Sequence, residues 1–127
     1  MVKIFALIGE SGAGKDRLAK LLVRKHPAVF HEIVSCTTRP KRENEKDGID
    51  YYFLSENQFM EYITDSKMLE YTNFKNWYYG TLLNSLSKTK INIGVFNPAG
   101  IRNLLKNSNI EVTVYQLKVE PKQRLIR

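Results

Sequence analysis

The sequence predicts an α/β fold, in which helices flank a parallel sheet and a small α+β insertion lies beside it. Apolar, strand-like segments at residues 2–8, 91–96 and 111–117 alternate with segments of helical spacing. Strands that alternate with helices pair in parallel and carry the helices on their faces. Residues 32–81 break this rhythm, because they hold short strands, one helix and many aromatic side chains. This segment is therefore predicted to be the insertion.

A glycine-rich loop follows the first strand and opens the first helix. Residues 9–15 read G-E-S-G-A-G-K, the G-x-x-x-x-G-K spacing of a phosphate-binding loop. Glycines let backbone N–H groups turn toward an anion, and the helix N-terminus adds its positive dipole end. The loop predicts a P-loop NTPase fold. The expected contacts to the phosphates of ATP come from Gly9, Ser11, Gly12, Ala13, Gly14, Lys15 and Asp16.

Asp16 occupies the position at which this loop type has Ser or Thr, whose hydroxyl binds Mg²⁺. We expect Asp16 to take over part of a Mg²⁺ site, as a hard oxygen ligand or through a metal-bound water. Asp16 could instead be a helix-start residue that the dipole favours. For the whole loop, the alternative is an ordinary glycine-rich turn between a strand and a helix.

Local signals predict the other elements along the chain. Ser55 stands three residues before Gln58 in a capping-box arrangement, which predicts a helix from there to about residue 64. Pro121 is well placed to start a last helix. The remaining predictions are helices at 16–25, 82–87 and 98–106, and strands at 32–37, 68–73 and 77–80.

Length and composition limit the classes of protein. At 127 residues the chain has the size of one domain, which we divide into a P-loop core (1–31 and 82–127) and a small α+β insertion (32–81). No apolar run approaches the roughly 18 residues of a membrane span, and the single cysteine, Cys36, suits a reducing compartment. We expect a cytoplasmic protein without a membrane partner. The net charge of +7 attracts nucleotides and nucleic acids alike, although charge alone supports nucleic-acid binding only weakly.

The polar loop at residues 35–51 carries a longer pattern. It reads S-x-T-T-R-x-x-R-x-x-E-x-x-G-x-D-Y and is followed by M-L-E-Y at 68–71 and W-Y-Y-G-T at 77–81. In these motifs, their order and their spacing, the chain resembles guanylate kinases over nearly its whole length. The resemblance implies Mg²⁺-dependent transfer of the γ-phosphoryl group of ATP to a nucleoside monophosphate, with GMP and dGMP favoured.

The resemblance also assigns site residues. It implies that Arg39, Arg42, Tyr51 and Tyr79 hold the acceptor phosphate, that Ser35, Glu70 and Thr81 read the base, and that Glu45 belongs to the same acceptor site. Lys15, Arg39 and Arg42 are the expected catalytic residues.

The chemistry of these residue types suits that assignment. Guanidinium groups match phosphate oxygens in bidentate geometry. A carboxylate can accept from both N1–H and the N2 amine of guanine, and adenine lacks this pair of donors. From position alone, Tyr51 and Tyr79 could be core aromatics, Glu70 could be a solvated strand residue, and the charged loop could be solvated throughout.

Two departures from the family pattern leave other functions open. Val95 and Asn97 stand where the family has acidic residues. The chain stops where a lid helix with arginines would begin, so Arg124 and Arg127 are interpreted as the start of that lid, in a trimmed or minimal form. The alternatives are a kinase for several deoxynucleoside monophosphates and a catalytically impaired, protein-binding guanylate-kinase-like module. The sequence predicts no oligomeric state.

Overall fold

A computed structural model describes residues 1–9 and 14–117, which form two four-stranded sheets and three α-helices. The first part of the chain contains β1 (Val2–Gly9), α1 (Lys15–Lys25), β2 (Phe30–Glu32), β3 (Cys36–Thr37), β4 (Tyr52–Phe53) and α2 (Glu56–Thr64). The second part contains β5 (Met68–Phe74), β6 (Trp77–Leu82), a 3₁₀ turn (Leu83–Ser85), β7 (Ile91–Val95), α3 (Pro98–Leu105) and β8 (Ile110–Leu117).

The first sheet has the order β2-β7-β1-β8, and every neighbouring pair is parallel. Alternate residues of β1 point to opposite faces, as the period of a strand requires. Ile4 and Ala6 pack with Ile101 and Leu104 of α3 on one face, whereas Leu7 packs with Ala19 of α1 on the other. A parallel sheet with helices on both faces confirms the predicted fold class.

The second sheet has the order β4-β3-β6-β5 and mixes both strand directions. β3 pairs in parallel with β4 and antiparallel with β6, and β5 pairs antiparallel with β6. Under this sheet lies Phe59 of α2, which is fully buried, with its ring 5.3 Å from that of Tyr78 and 6.4 Å from that of Tyr71. The predicted capping box is confirmed, since Ser55 Oγ accepts from the backbone N–H of Gln58 and the Gln58 side chain accepts from that of Ser55.

Two predicted elements are wrong in extent. The single strand predicted at 32–37 is two strands in different sheets, because the chain leaves the parallel sheet after Glu32 and enters the second sheet at Cys36. The helix predicted at 82–87 is a 3₁₀ turn, since Leu82 still belongs to β6 and Ser87 bonds through its backbone N–H to Asn92 of β7. The strand β4 was not predicted.

Helix α3 connects the two sheets. It follows β7 of the parallel sheet, yet Nδ2 of Asn103 donates to the backbone oxygen of Tyr71 in β5, 3.0 Å away. No helix in the described ranges is long and apolar enough to cross a membrane. The predicted helix from Pro121 and the predicted lid residues Arg124 and Arg127 lie outside the described residues.

Candidate functional site

The site begins where β1 ends, at the two described flanks of the glycine-rich loop. Nζ of Lys15 donates to the carbonyl oxygen of Gly9 at 2.8 Å, which holds the lysine against the end of the strand. A Cβ on Gly9 would lie 2.5 Å from the carbonyl oxygen of Leu117, and Gly14 has a φ of 85° before the helix. Both positions therefore need glycine. The predicted phosphate contacts of Ser11, Gly12 and Ala13 lie outside the described residues.

Asp16 lies in the first turn of α1 and is exposed. Its charge acts on Tyr51, whose pKa is raised chiefly by burial and further by Tyr79 and Asp16. A charge effect of this kind requires proximity. Asp16, in the first turn of α1, is therefore close enough to influence the pKa of Tyr51.

Arg39 is the best-held side chain of the polar loop. It is 9% exposed, and its Nη1 and Nη2 donate to Oε1 and Oε2 of Glu45 at 3.0 and 2.8 Å. Nη1 also donates to the carbonyl oxygen of Pro40 at 3.0 Å. Hydrogen bonding to Glu45 raises the pKa of Arg39 and lowers that of Glu45 to about 2. The pair is ionised at every physiological pH.

The ion pair with Glu45 uses one edge of the Arg39 guanidinium and leaves a second edge for another partner. A guanidinium carries five N–H donors in a fixed plane, and three of them bond to Glu45 and Pro40. The remaining donors are Nε–H and the second N–H of Nη2, and the phenol oxygens of Tyr79 and Tyr51 lie close enough to the Arg39 side chain to affect its hydrogen bonding. These two donors are parallel and form a second fork, which has the geometry for two oxygens of one phosphate.

Aromatic rings line this guanidinium. Its central carbon lies 5.3 Å from the ring centroid of Tyr51 and 5.9 Å from that of Phe53, distances typical of cation–π contacts. The Tyr79 ring is 6.0 Å from that of Tyr51. Tyr51 and Tyr79 thus lie beside Arg39. Phe53 was missed, although its position two residues after Tyr51 puts both rings on one side of an extended segment.

Arg42 is placed differently from Arg39. Its backbone N–H donates to Oε1 of Glu45 at 2.8 Å, while the residue is exposed. Glu45 therefore ties together the backbone of one predicted phosphate ligand and the side chain of the other. The structure brings Arg39, Glu45, Tyr51 and Tyr79 into one cluster and leaves the Arg42 side chain at the surface of the same loop.

A second cluster surrounds Glu70 on β5. The residue is 8% exposed, and the described residues give its carboxylate one hydrogen bond, from Oγ1 of Thr81 at 2.8 Å. Burial raises the pKa of Glu70 to about 7, and the Thr81 bond opposes the rise. Ser35 is half-buried just before β3, and its carbonyl oxygen accepts from the N–H of Tyr52.

The N-terminal turn of α3 closes over this second cluster. Asn97 caps the helix, since its Oδ1 accepts from the backbone N–H of Gly100 at 2.7 Å, and its Nδ2 lies 3.4 Å from Oγ1 of Thr72. A Cβ on Gly100 would lie 3.2 Å from Oε1 of Glu70. Sequence reasoning missed Thr72 and Gly100. No motif in the sequence pointed to either residue, because both matter through contacts between segments that are distant along the chain.

Asp16 is the acidic residue in the first turn of α1, and it is exposed. In the described part of the chain, no three His, Cys, Asp or Glu side chains cluster as a metal site. Mg²⁺ in phosphate-binding sites usually uses one or two carboxylates together with phosphate oxygens and water. One exposed carboxylate at the start of α1 is compatible with that chemistry.

The parallel sheet, together with a lysine that lies at the end of β1 and opens α1, defines a P-loop nucleotide-binding protein. The family model described as guanylate kinase matches residues 1–95. The chain belongs to the guanylate kinase family.

Curated relatives and a solved structure agree with this assignment. The chain is 38% identical to the guanylate kinase of Nostoc sp. over 106 residues, which are 80% of this chain and 53% of the relative. It is 39% identical to the guanylate kinase of Thermotoga maritima over 92 residues, covering 72% and 44%. The crystal structure of guanylate kinase from Anaplasma phagocytophilum has a TM-score of 0.73 and 22% identity, covering 91% and 59%, and thus shows the shared fold. The chain spans about half the length of the curated relatives it matches.

Proposed function

We propose that this protein is a nucleoside monophosphate kinase that transfers the γ-phosphoryl group of ATP to GMP or dGMP. The observation that carries the proposal is the Glu70 carboxylate, which is buried yet receives one hydrogen bond, from Thr81, among the described residues. A buried carboxylate is costly without further donors. Guanine offers two adjacent donors, N1–H and the N2 amine. We propose that the base is read by Glu70 together with Ser35 and Thr81.

The opposite end of the acceptor is assigned to the Arg39 cluster. The second fork of Arg39 would donate to two phosphate oxygens, and the hydroxyls of Tyr51 and Tyr79 would donate to the same group. Arg42 would add its charge from the surface of the loop. Glu45 would act by holding Arg39 in place, since it already occupies the first fork. Positive charge and fixed donors at this point suit a dianionic phosphate.

ATP would lie at the P-loop, with its phosphates on the backbone of residues 9–14 and on Lys15. Leaving the carbonyl of Gly9 would let Lys15 neutralise the β and γ phosphates. We propose Asp16 as the residue that helps to hold Mg²⁺, directly or through water. When bound, Mg²⁺ neutralises charge on the phosphates and orients them.

The reaction needs no side-chain nucleophile. An oxygen of the acceptor phosphate attacks the γ-phosphorus in line, the bond from that phosphorus to the β–γ bridging oxygen breaks, and ADP leaves as the diphosphate of the acceptor forms. Lys15, Arg39 and Arg42 would contribute by positioning and by stabilising negative charge. We also propose that residues 1–31 and 82–127 together form the ATP-binding unit, and that residues 32–81 form the acceptor-binding unit. We further propose that the protein works in the cytoplasm.

The test is the formation of ADP from ATP and Mg²⁺ with GMP, dGMP, AMP, dTMP and dCMP offered separately. The assay should use this chain and a longer form that continues it. Selective turnover of GMP and dGMP is the expected result. Turnover of several bases would favour the broader deoxynucleoside monophosphate kinase, for which the amide of Asn97 in place of a carboxylate is the supporting observation.

Equilibrium binding separates a kinase from a protein-binding module. If both forms bind GMP but release no ADP, the kinase proposal fails and the module is favoured. Val95 and Asn97 at the family's acidic positions support that alternative, whereas retention of Lys15 opposes it, because a module without ATP has no use for this ammonium.

A separate variant tests the metal assignment. Asp16→Ala should lower turnover at limiting Mg²⁺ by roughly 10-fold or more, as expected for the loss of a ligand contact, and raised Mg²⁺ should restore part of it. Arg17→Ala, which changes the next exposed residue of the same turn, is the matched control. Equal Mg²⁺ dependence in Asp16→Ala and the wild type would contradict the assignment.

A further inference from the structure

The N-terminal turn of α3 packs against the carboxylate that we assign to base recognition. A Cβ added at Gly100 would meet Oε1 of Glu70 at 3.2 Å, Oδ1 of Asn97 at 3.4 Å and Cδ1 of Phe96 at 3.4 Å. The contact with Glu70 is tighter than ordinary van der Waals packing. Glycine at this position therefore lets the Glu70 carboxylate lie against the helix.

The carboxylate has little freedom to move away. Its other oxygen, Oε2, accepts from the fully buried hydroxyl of Thr81 at 2.8 Å. A methyl group at position 100 would push Oε1 by a few tenths of an ångström or turn the carboxylate and lengthen the Thr81 bond. Either movement changes the direction in which Glu70 presents its oxygens.

Gly100 itself is fixed by the parallel sheet. Its N–H donates to the side chain of Asn97, which caps α3 directly after β7, and β7 pairs with the P-loop strand β1. The Asn97 amide also reaches Oγ1 of Thr72 in β5, at 3.4 Å. The Glu70 carboxylate is thus positioned by α3, the helix that follows β7 in the parallel sheet to which we assign the ATP site.

We infer that Gly100 is a positioning residue for base selection, which sets the orientation of the Glu70 carboxylate toward a purine with donors at both N1 and N2. The inference rests on the proposed function of Glu70 as the base reader. Gly100 makes no contact with substrate in this account. Its effect passes through Glu70 and therefore appears in selectivity rather than in the transfer step.

The experiment compares GMP with IMP, whose base keeps N1–H and lacks the N2 amine. Gly100→Ala should lower kcat/KM for GMP roughly fivefold to tenfold, since small misplacements of a binding group are costly, and should lower it less for IMP. The ratio of kcat/KM for GMP to kcat/KM for IMP should therefore fall. The change should lie in KM for GMP, whereas kcat at saturating GMP should stay near that of the wild type. The melting temperature should fall only slightly, because the better helix propensity of alanine offsets part of the steric cost.

Matched variants isolate the route through Glu70. Asn103→Ala removes a different hydrogen bond between α3 and β5, the one to the Tyr71 carbonyl, and should leave the GMP-to-IMP ratio of kcat/KM unchanged. Glu70→Ala should abolish the preference, and adding Gly100→Ala to it should then change nothing further. If Gly100→Ala does not fold by itself, Glu70→Ala should restore folding, because it removes the atom that the methyl group meets.

The outcomes separate this inference from the proposed function. A wild-type protein without preference for GMP over IMP overturns the role of Glu70, and this inference with it. If the wild type prefers GMP, Glu70→Ala loses that preference and Gly100→Ala keeps it, the inference about Gly100 is overturned and the role of Glu70 stands. A Gly100→Ala effect of equal size in the Glu70→Ala background, or a misfolded Gly100→Ala that Glu70→Ala fails to rescue, also overturns it.

Discussion

Arg39 and Glu70 are buried to nearly the same extent, 9% and 8% exposed, yet their charges are balanced in opposite ways. Arg39 has a carboxylate partner at 2.8 Å, two aromatic rings beside it and a raised pKa. Among the residues that the structure describes, Glu70 has one donor, the neutral hydroxyl of Thr81, and burial raises the pKa of Glu70 to about 7. The charge of Arg39 is therefore already compensated by Glu45 without a ligand. The charge of Glu70 would be compensated only by a ligand that brings further hydrogen-bond donors.

Under the proposed function, this difference would let the acceptor site hold a phosphate tightly and still select a base. A preformed charge pair fixes the direction of the Arg39 fork at little further cost. A desolvated carboxylate gains most from a ligand that offers two N–H groups, and a base without them leaves it unsatisfied. We therefore expect the Arg39 end to supply affinity and the Glu70 end to supply selectivity.

The largest expected effect comes from removing Arg39 and with it the ion pair to Glu45. Arg39→Ala should lower kcat/KM for GMP by about 100-fold or more, because it removes the proposed charge-assisted bonds to the phosphate and leaves Glu45 without its cation. Lys46→Ala removes an exposed charge from the same loop and should stay within about twofold of the wild type. Steady-state kinetics decide between them, and an equal effect of both variants would show that only the net charge of the loop matters.

The next effect concerns the cost of burying Glu70. Its pKa is raised from 4.5 to about 7 in the folded protein, so the folded state binds the additional proton and stability falls as pH rises through that window. Relative to a neutral residue, the loss above pH 7 is about 3 kcal/mol. In melting curves from pH 4 to 8, Glu70→Gln should flatten this part of the profile, and an unchanged slope would contradict the desolvation argument.

Glu45 should show the reverse pH dependence and a smaller effect on activity. Because its pKa is lowered to about 2, its stabilising contribution is present above pH 4.5 and is lost as pH falls toward 2. Glu45→Gln should raise KM for GMP roughly threefold to tenfold, since a neutral amide holds the guanidinium less firmly. Glu43→Gln, an exposed change in the same loop, is the control and should leave KM unchanged.

The smallest effect tests the scaffold under both ends. Ser55→Ala removes the N-cap of α2, whose Phe59 supports the second sheet, and should lower the unfolding free energy by about 1 kcal/mol. Asn57→Ala, an exposed change within the same helix, should not destabilise the protein. Chemical denaturation measures both. The GMP-to-IMP ratio should stay constant in each variant, and a shift in Ser55→Ala would mean that the scaffold itself tunes selectivity.

The sequence determined the features that depend on local chemistry. The capping box at Ser55 and Gln58 and the glycine-rich loop before Lys15 are set by neighbours within a few residues, so their spacing was sufficient. The alternation of apolar strands with helices likewise predicted the parallel sheet. The pattern from Ser35 to Tyr51 identified the family, which the family model confirms.

Only the tertiary structure decided the contacts between distant segments. It divided residues 32–37 between two sheets, because β2 pairs with β7 and β3 pairs with β6. It also gave Glu70 its burial and placed Gly100 against its carboxylate. No spacing along the chain encodes a contact between residues thirty positions apart, since that contact depends on how β5 and α3 pack. The residue types of the site were therefore readable from the sequence, whereas their charge balance was set by the fold.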